Sequence, residues 1–234
     1  MNPTTQAVLS RLQLLANPAN VAGMARYGIN PDHTLGISIP VLRQIAKETG
    51  RDQALAVELW DTGIHEARLL AGFIADPRQM TEALLDRWVQ DFNSWDICDQ
   101  TCGLFALTPF AYAKAFEWSS HADTFIKRAG FVLMATLAVH DKRASDDHLA
   151  QFLPVIARAA SDERNFVKKA VNWALRQIGK RSLSLNELAI ATALQIQQQD
   201  SKAARWVASD ALRELTSEAV QARLETRARQ TTTP

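Results

Sequence analysis

The spacing of the breaks along the chain constrains its fold more than any single motif. Residues that interrupt regular structure fall at Asn17-Pro18, Asn30-Pro31, Gly50, Gly63, Asp76-Pro77, Thr108-Pro109, His140-Asp141, Ser161-Asp162, Gly179 and Asp200-Ser201. Gly and Pro end helices, and Asn, Asp and Ser draw the local backbone into turns. The intervals between these breaks are helix length, and their apolar residues recur with helical period. From Thr81 to Phe92, Leu84, Leu85, Trp88 and Val89 share one face and Asp86, Arg87 and Gln90 the other. Phe125, Ala129, Val132, Leu133 and Leu137 form a second stripe, and Phe166, Ala170, Ala174 and Ile178 a third. No comparable stretch alternates with period two, so the chain is expected to be all-α. Its 37 alanines against 9 glycines and 8 prolines agree, because Ala is the best helix former.

The helical segments pair across short connections: 40–50 with 52–60, 64–75 with 80–92, 94–107 with 110–118, 122–140 with 146–160, 162–179 with 184–199, and 201–215 with 218–229. Antiparallel pairs recurring about every thirty residues predict a HEAT-like or ARM-type α-solenoid of stacked helix pairs. An irregular helical bundle stays open, since the repeats share no strict consensus. The 234 residues are expected to form a single solenoid domain, ordered from about 5 to 230, with a frayed tail from Thr231 to Pro234.

Net charge is +1, yet it is unevenly spread: residues 1–120 sum to −4 and residues 121–234 to +5. The basic part is densest from Ser161 to Arg181, where Arg164, Lys168, Lys169, Arg176, Lys180 and Arg181 face only Asp162 and Glu163. Cys98 and Cys102 are the only cysteines, too few for a disulfide framework or a zinc site and in keeping with a reducing cytoplasm. No signal-peptide pattern or membrane-length apolar run is present, so the protein is expected to be cytoplasmic and away from membranes. The five histidines lack ligand spacing, and no metal or other cofactor is expected. Phosphate-binding loops, dinucleotide fingerprints, zinc-protease and serine-hydrolase signatures are all absent.

Two clusters carry possible chemistry. In Asn93-Ser94-Trp95-Asp96-Ile97-Cys98-Asp99-Gln100, Ser94 is a good N-cap. Trp95 then opens a helix and Asp99 follows one turn later, with indole and carboxylate on one face and Cys102 above them. The bland alternative is an acid meeting the helix dipole and a tryptophan in the core. In the second cluster, Asn165 to Arg181, helical spacing lines up Lys169, Trp173, Arg176 and Lys180 opposite the Phe166, Ala170, Ala174 and Ile178 face. Such a stripe suits a nucleic-acid backbone, and Lys127-Arg128 adds two cations; the alternative is a solvated cationic face.

In combination these residues resemble a known family. Tyr27-Gly28, the run Leu35-Gly36-Ile37-Ser38-Ile39-Pro40-Val41-Leu42-Arg43-Gln44-Ile45-Ala46-Lys47, His65-Glu66-Ala67-Arg68, Ser94 to Asp99, Lys127-Arg128-Ala129 and Phe166 to Arg181 are similar to the bacterial DNA alkylation repair family of HEAT-like-repeat DNA glycosylases, the AlkD-like proteins. The resemblance covers roughly residues 5 to 215. It implies a solenoid with a concave basic face that holds duplex DNA and excises cationic N3- or N7-alkylated purines. It also implies a catalytic Asp99 flanked by Trp95 and Trp173, with Arg128 near the DNA backbone. Ile97-Cys98 and Gln100-Thr101-Cys102 depart from the family pattern and imply a subgroup with its own lesion preference.

The chemistry asks for no more than this. An alkylated purine is already cationic and leaves without a general acid, so the enzyme has only to stabilise developing oxocarbenium charge and position a water. One carboxylate does both, whereas cleavage of neutral leaving groups takes a second, acidic carboxyl. The expected function is therefore an alkylpurine DNA glycosylase of base excision repair, acting as a monomer on double-stranded DNA. Its expected DNA contacts are Lys127, Arg128, Lys168, Lys169, Arg176, Lys180 and Arg181. A non-catalytic HEAT-like scaffold for DNA structures or a protein partner is the alternative.

Overall fold

The computed structural model describes residues 3–232, in which every regular element is a helix. The first part of the chain carries α1 (Pro3–Leu14), α2 (Pro18–Arg26), α3 (Ile39–Thr49), α4 (Gln53–Asp61), α5 (His65–Ile74), α6 (Glu82–Gln90) and α7 (Trp95–Phe105). After it come α8 (Ala111–Ser119), α9 (Thr124–His140), α10 (Asp146–Ala150), α11 (Leu153–Ala159), α12 (Asn165–Gly179), α13 (Leu183–Gln197), α14 (Lys202–Leu215) and α15 (Glu218–Thr232). Polar residues at the breaks start these helices by accepting otherwise unpaired N–H groups. Asp52 accepts from Leu55, Thr81 from Leu84, Asp123 from Phe125 and Ile126, Ser182 from Leu185 and Ser201 from Ala204.

The chain divides into two compact units, Met1–Phe110 and Ala111–Pro234. In the first, α3 and α7 both pack on α5, while α4 packs on α5 and α1. Trp60 of α4 lies flat against Trp88 of α6, ring centroids 4.1 Å apart and planes 2° from parallel. In the second, α9, α12 and α14 form one layer, with α12 against both neighbours, and α8, α11, α13 and α15 supply the helices that cover it. The repeat shows in the register of the polar contacts. Partners on successive helices of a layer are 31 residues apart in the first unit, as in Trp60–Asp91 and His65–Asp96. They are 38 apart in the second, as in Arg128–Phe166, Asn172–Asp210 and Arg176–Glu214. Stacked helix pairs are thus present in each unit, as the spacing of the breaks predicts.

Two expectations change. The helix expected over 146–160 is interrupted after Ala150, and Pro154 sits in the first turn of its second part, α11, where a missing N–H costs nothing. Helix α9, expected to carry one apolar stripe and to offer Arg128 to DNA, is packed between α8 and α12 and buries nearly every residue from Ile126 to Ala138, including Arg128. Of the tail expected to fray, Thr231 and Thr232 continue α15 and residues 233–234 lie outside the described residues.

Candidate functional site

The irregular segment between α2 and α3 is fixed by one buried side chain. Glu66, in the first turn of α5 and fully buried, accepts from the backbone N–H groups of Leu35 (2.7 Å), Gly36 (2.7 Å) and Ile37 (3.2 Å). Gly36 has φ +82°, and a Cβ there would stand 2.2 Å from the Asn17 carbonyl oxygen, so only glycine fits. The neighbouring His65 donates its backbone N–H to the His33 carbonyl. Its ring Nε2 lies 2.8 Å from Asp96 Oδ2, both side chains buried.

This arrangement seats the start of α7. Ser94 occupies the N-cap position as expected, but its hydroxyl makes no cap bond and donates instead to Asp96 Oδ1 at 2.7 Å. Burial pushes the Asp96 carboxyl up, but His65, Ser94 and the Ile97 N–H outweigh it and hold the group below the usual carboxylate range. Asp96 is therefore committed to the interior. Asp99, one turn after Trp95, is half-buried, and so is Trp95. The indole Nε1–H of Trp95 donates to the Tyr27 carbonyl at 3.0 Å, which ties α7 to the α2–α3 segment and fixes the ring. Beside them Gln100 accepts from Arg43 at 3.1 Å, and the Arg43 guanidinium lies 5.3 Å from the Phe73 ring centroid. Cys102 does not stand above the pair: it and Cys98 are buried on the core side. A half-buried carboxylate next to a ring held by its own N–H can stabilise a positive charge and orient a water.

The expected DNA contacts lie in the second unit, and most are engaged there. Arg128 is only 6% exposed and donates from Nη1 to the Phe166 carbonyl at 2.6 Å. Lys127 pairs with Asp162 at 3.0 Å, and Lys168 lies 4.9 Å from the Trp206 ring centroid. Arg176 bonds Glu214 at 2.5 Å and approaches Asp210 at 3.4 Å, while Lys180 reaches Glu214 at 2.5 Å. Arg181 donates to the Asp141 carbonyl at 2.8 Å. Lys169 is exposed and Trp173 half-buried on the same helix. The stripe expected to be a free cationic face is thus partly neutralised by α14. Asp210 and Glu214 were detectable only through the 38-residue register, which places them beside Asn172 and Arg176. Glu66 and the Tyr27 carbonyl also escaped a reading of single residues, since neither role has a local signal.

No helix among the described residues is long and apolar enough to cross a membrane. The family model described as DNA alkylation repair enzyme matches residues 8–215. Among curated proteins none matches the sequence. A solved structure described as "a new family of proteins related to the HEAT-like repeat DNA glycosylases with affinity for branched DNA structures" is similar in fold. It has a TM-score of 0.76 at 21% identity, over 94% of this chain and 95% of that one.

Proposed function

Because the chain belongs to the DNA alkylation repair enzyme family, we propose that it is a DNA glycosylase that releases cationic N3- or N7-alkylated purines from duplex DNA. The observation that supports this most is the placement of Asp99, half-buried one turn after Trp95, whose ring is fixed by its own N–H. In the proposed reaction the glycosidic bond breaks with its electrons going to the cationic purine, which leaves neutral. The sugar gains oxocarbenium character, and Asp99 stabilises that charge, orients the water that adds to the sugar carbon and takes up the proton that water releases, passing it to solvent. The face of Trp95 adds cation–π attraction worth about 0.5–2 kcal/mol. A site this economical suits a bond that is already labile. The second unit, with Lys169 and Trp173 on α12, is the proposed holder of the DNA backbone.

A second reading rests on the similar fold of a protein described as having affinity for branched DNA, together with the internal pairing of Arg176 and Lys180. In it the chain binds branched DNA and leaves glycosidic bonds intact. Incubation with duplex carrying one N7-methylguanine, in parallel with binding to an undamaged four-way junction, separates the two. Released base supports the glycosylase; tight junction binding with no release from N7-methylguanine or N3-methyladenine supports the binder.

A further inference from the structure

Where α9 and α12 end, five cationic side chains surround one cavity of about 380 Å³ in the second unit: Lys142, Lys180, Arg181, Arg223 and Arg227, with Gln177 beside them. Three of them meet main-chain carbonyls of these helix ends: Lys142 donates to Val139, Arg181 to Asp141, and Arg227 to Lys180. That much is ordinary charge–dipole pairing. The balance of charge is not. Among the described residues no carboxylate lines the cavity. Glu214 pairs with Lys180, and the Asp141 carboxylate accepts from Tyr112 Oη at 3.0 Å and from the Arg143 N–H. Arg223 is exposed and has no hydrogen bond or ion pair among the described residues. With Lys180 already paired to Glu214, the other four cations set round one concavity still favour the entry of an anion.

We propose that this cavity binds the phosphodiester backbone of a DNA strand, with Arg223 and Arg227 as its principal contacts. The two arginines are four apart on α15, so they stand on one helix face about 6 Å apart along its axis. No aromatic side chain lines the cavity among the described residues, so it offers a base nothing to stack on and a strand's phosphates everything to pair with. It is continuous with the row Lys169, Trp173, Gln177 and Lys180 of α12, so a backbone tracking that row arrives at α15. Helix α15 lies beyond residues 8–215 matched by the family model.

The inference rests on the DNA-binding part of the function proposed above, and its test separates the two. Anisotropy titrations of duplex DNA between 50 and 200 mM salt compare the full chain with Arg223→Ala/Arg227→Ala and with Arg223→Lys/Arg227→Lys. The alanine variant is expected to flatten the slope of log affinity against log salt by about 2, near 0.9 for each lost phosphate contact, and the lysine variant to restore most of it. Unchanged slope and affinity in the alanine variant, with wild type still binding DNA and releasing base, would overturn this site alone. Tripolyphosphate titrated into the same proteins by calorimetry is the small-anion probe: its binding lost in the alanine variant with DNA binding untouched would also overturn the site, by assigning the cavity to a small anion. Absence of DNA binding by wild type would overturn the proposed function itself.

Discussion

Glu66 shows how one residue can set a site it does not line. Its carboxylate gathers three consecutive N–H groups of the α2–α3 segment, and the carbonyl of Tyr27 at the other end of that segment holds Trp95. Replacing it by Gln puts an amide N–H₂ against donors and leaves buried N–H groups unpaired, at a cost of about 3 kcal/mol. Urea unfolding of Glu66→Gln is therefore expected to show that loss, and stability equal to wild type would refute the role. Sequence reading reached the Trp95–Asp99 pair because both sit one turn apart in a short helix with a visible start. It could not see what engages Asp96, since that depends on His65, 31 residues away. Nor could it see that Arg128 is covered, because burial there comes from the helices on either side of α9.

At the scale of helices the sequence was more legible. Breaks and apolar stripes located the starts and ends of the later helices closely, because the caps that start them act within three residues. Contacts between helices were less accessible, and glycines mark them. Gly130 of α9 faces α8 so closely that a Cβ would stand 2.4 Å from the Ser119 nitrogen and 3.0 Å from the Ala115 carbonyl oxygen. Those are backbone atoms that cannot swing aside. On α7, a Cβ at Gly103 would meet nothing within 4 Å. Alanine raises helix propensity at both positions by about 1 kcal/mol. Gly103→Ala is expected to stabilise by up to that amount, whereas Gly130→Ala is expected to destabilise by about 1–3 kcal/mol through overpacking. Thermal midpoints moving in the same direction for the two variants would contradict the close packing of α8 on α9.

Across the whole molecule, the near-neutral total conceals cations that the fold has already paired. Asp162 is held below the usual carboxylate range by its bonds to Arg164, against burial, with help from Lys127. Burial pushes the Glu214 carboxyl up, but Lys180 and Arg176 outweigh it, as His65 does for Asp96. Carboxyls with depressed folded values stabilise the protein above their unfolded values, near 3.9 for Asp and 4.3 for Glu, and that contribution is lost as pH falls through the folded values. The thermal midpoint is expected to be steady above about pH 5 and to drop steeply below about pH 4; a midpoint flat down to pH 3 would show that these pairs do not matter. The charge asymmetry along the chain was legible, but its neutralisation by Asp210 and Glu214 was not, because it requires the repeat register. The function proposed for this fold rests finally on Asp99. Its most direct test is single-turnover release of N7-methylguanine from duplex DNA by wild type and Asp99→Asn at equal DNA occupancy. The account predicts release by wild type and a rate roughly 100- to 1,000-fold lower for the variant with unchanged DNA affinity; equal rates for the two proteins would contradict it.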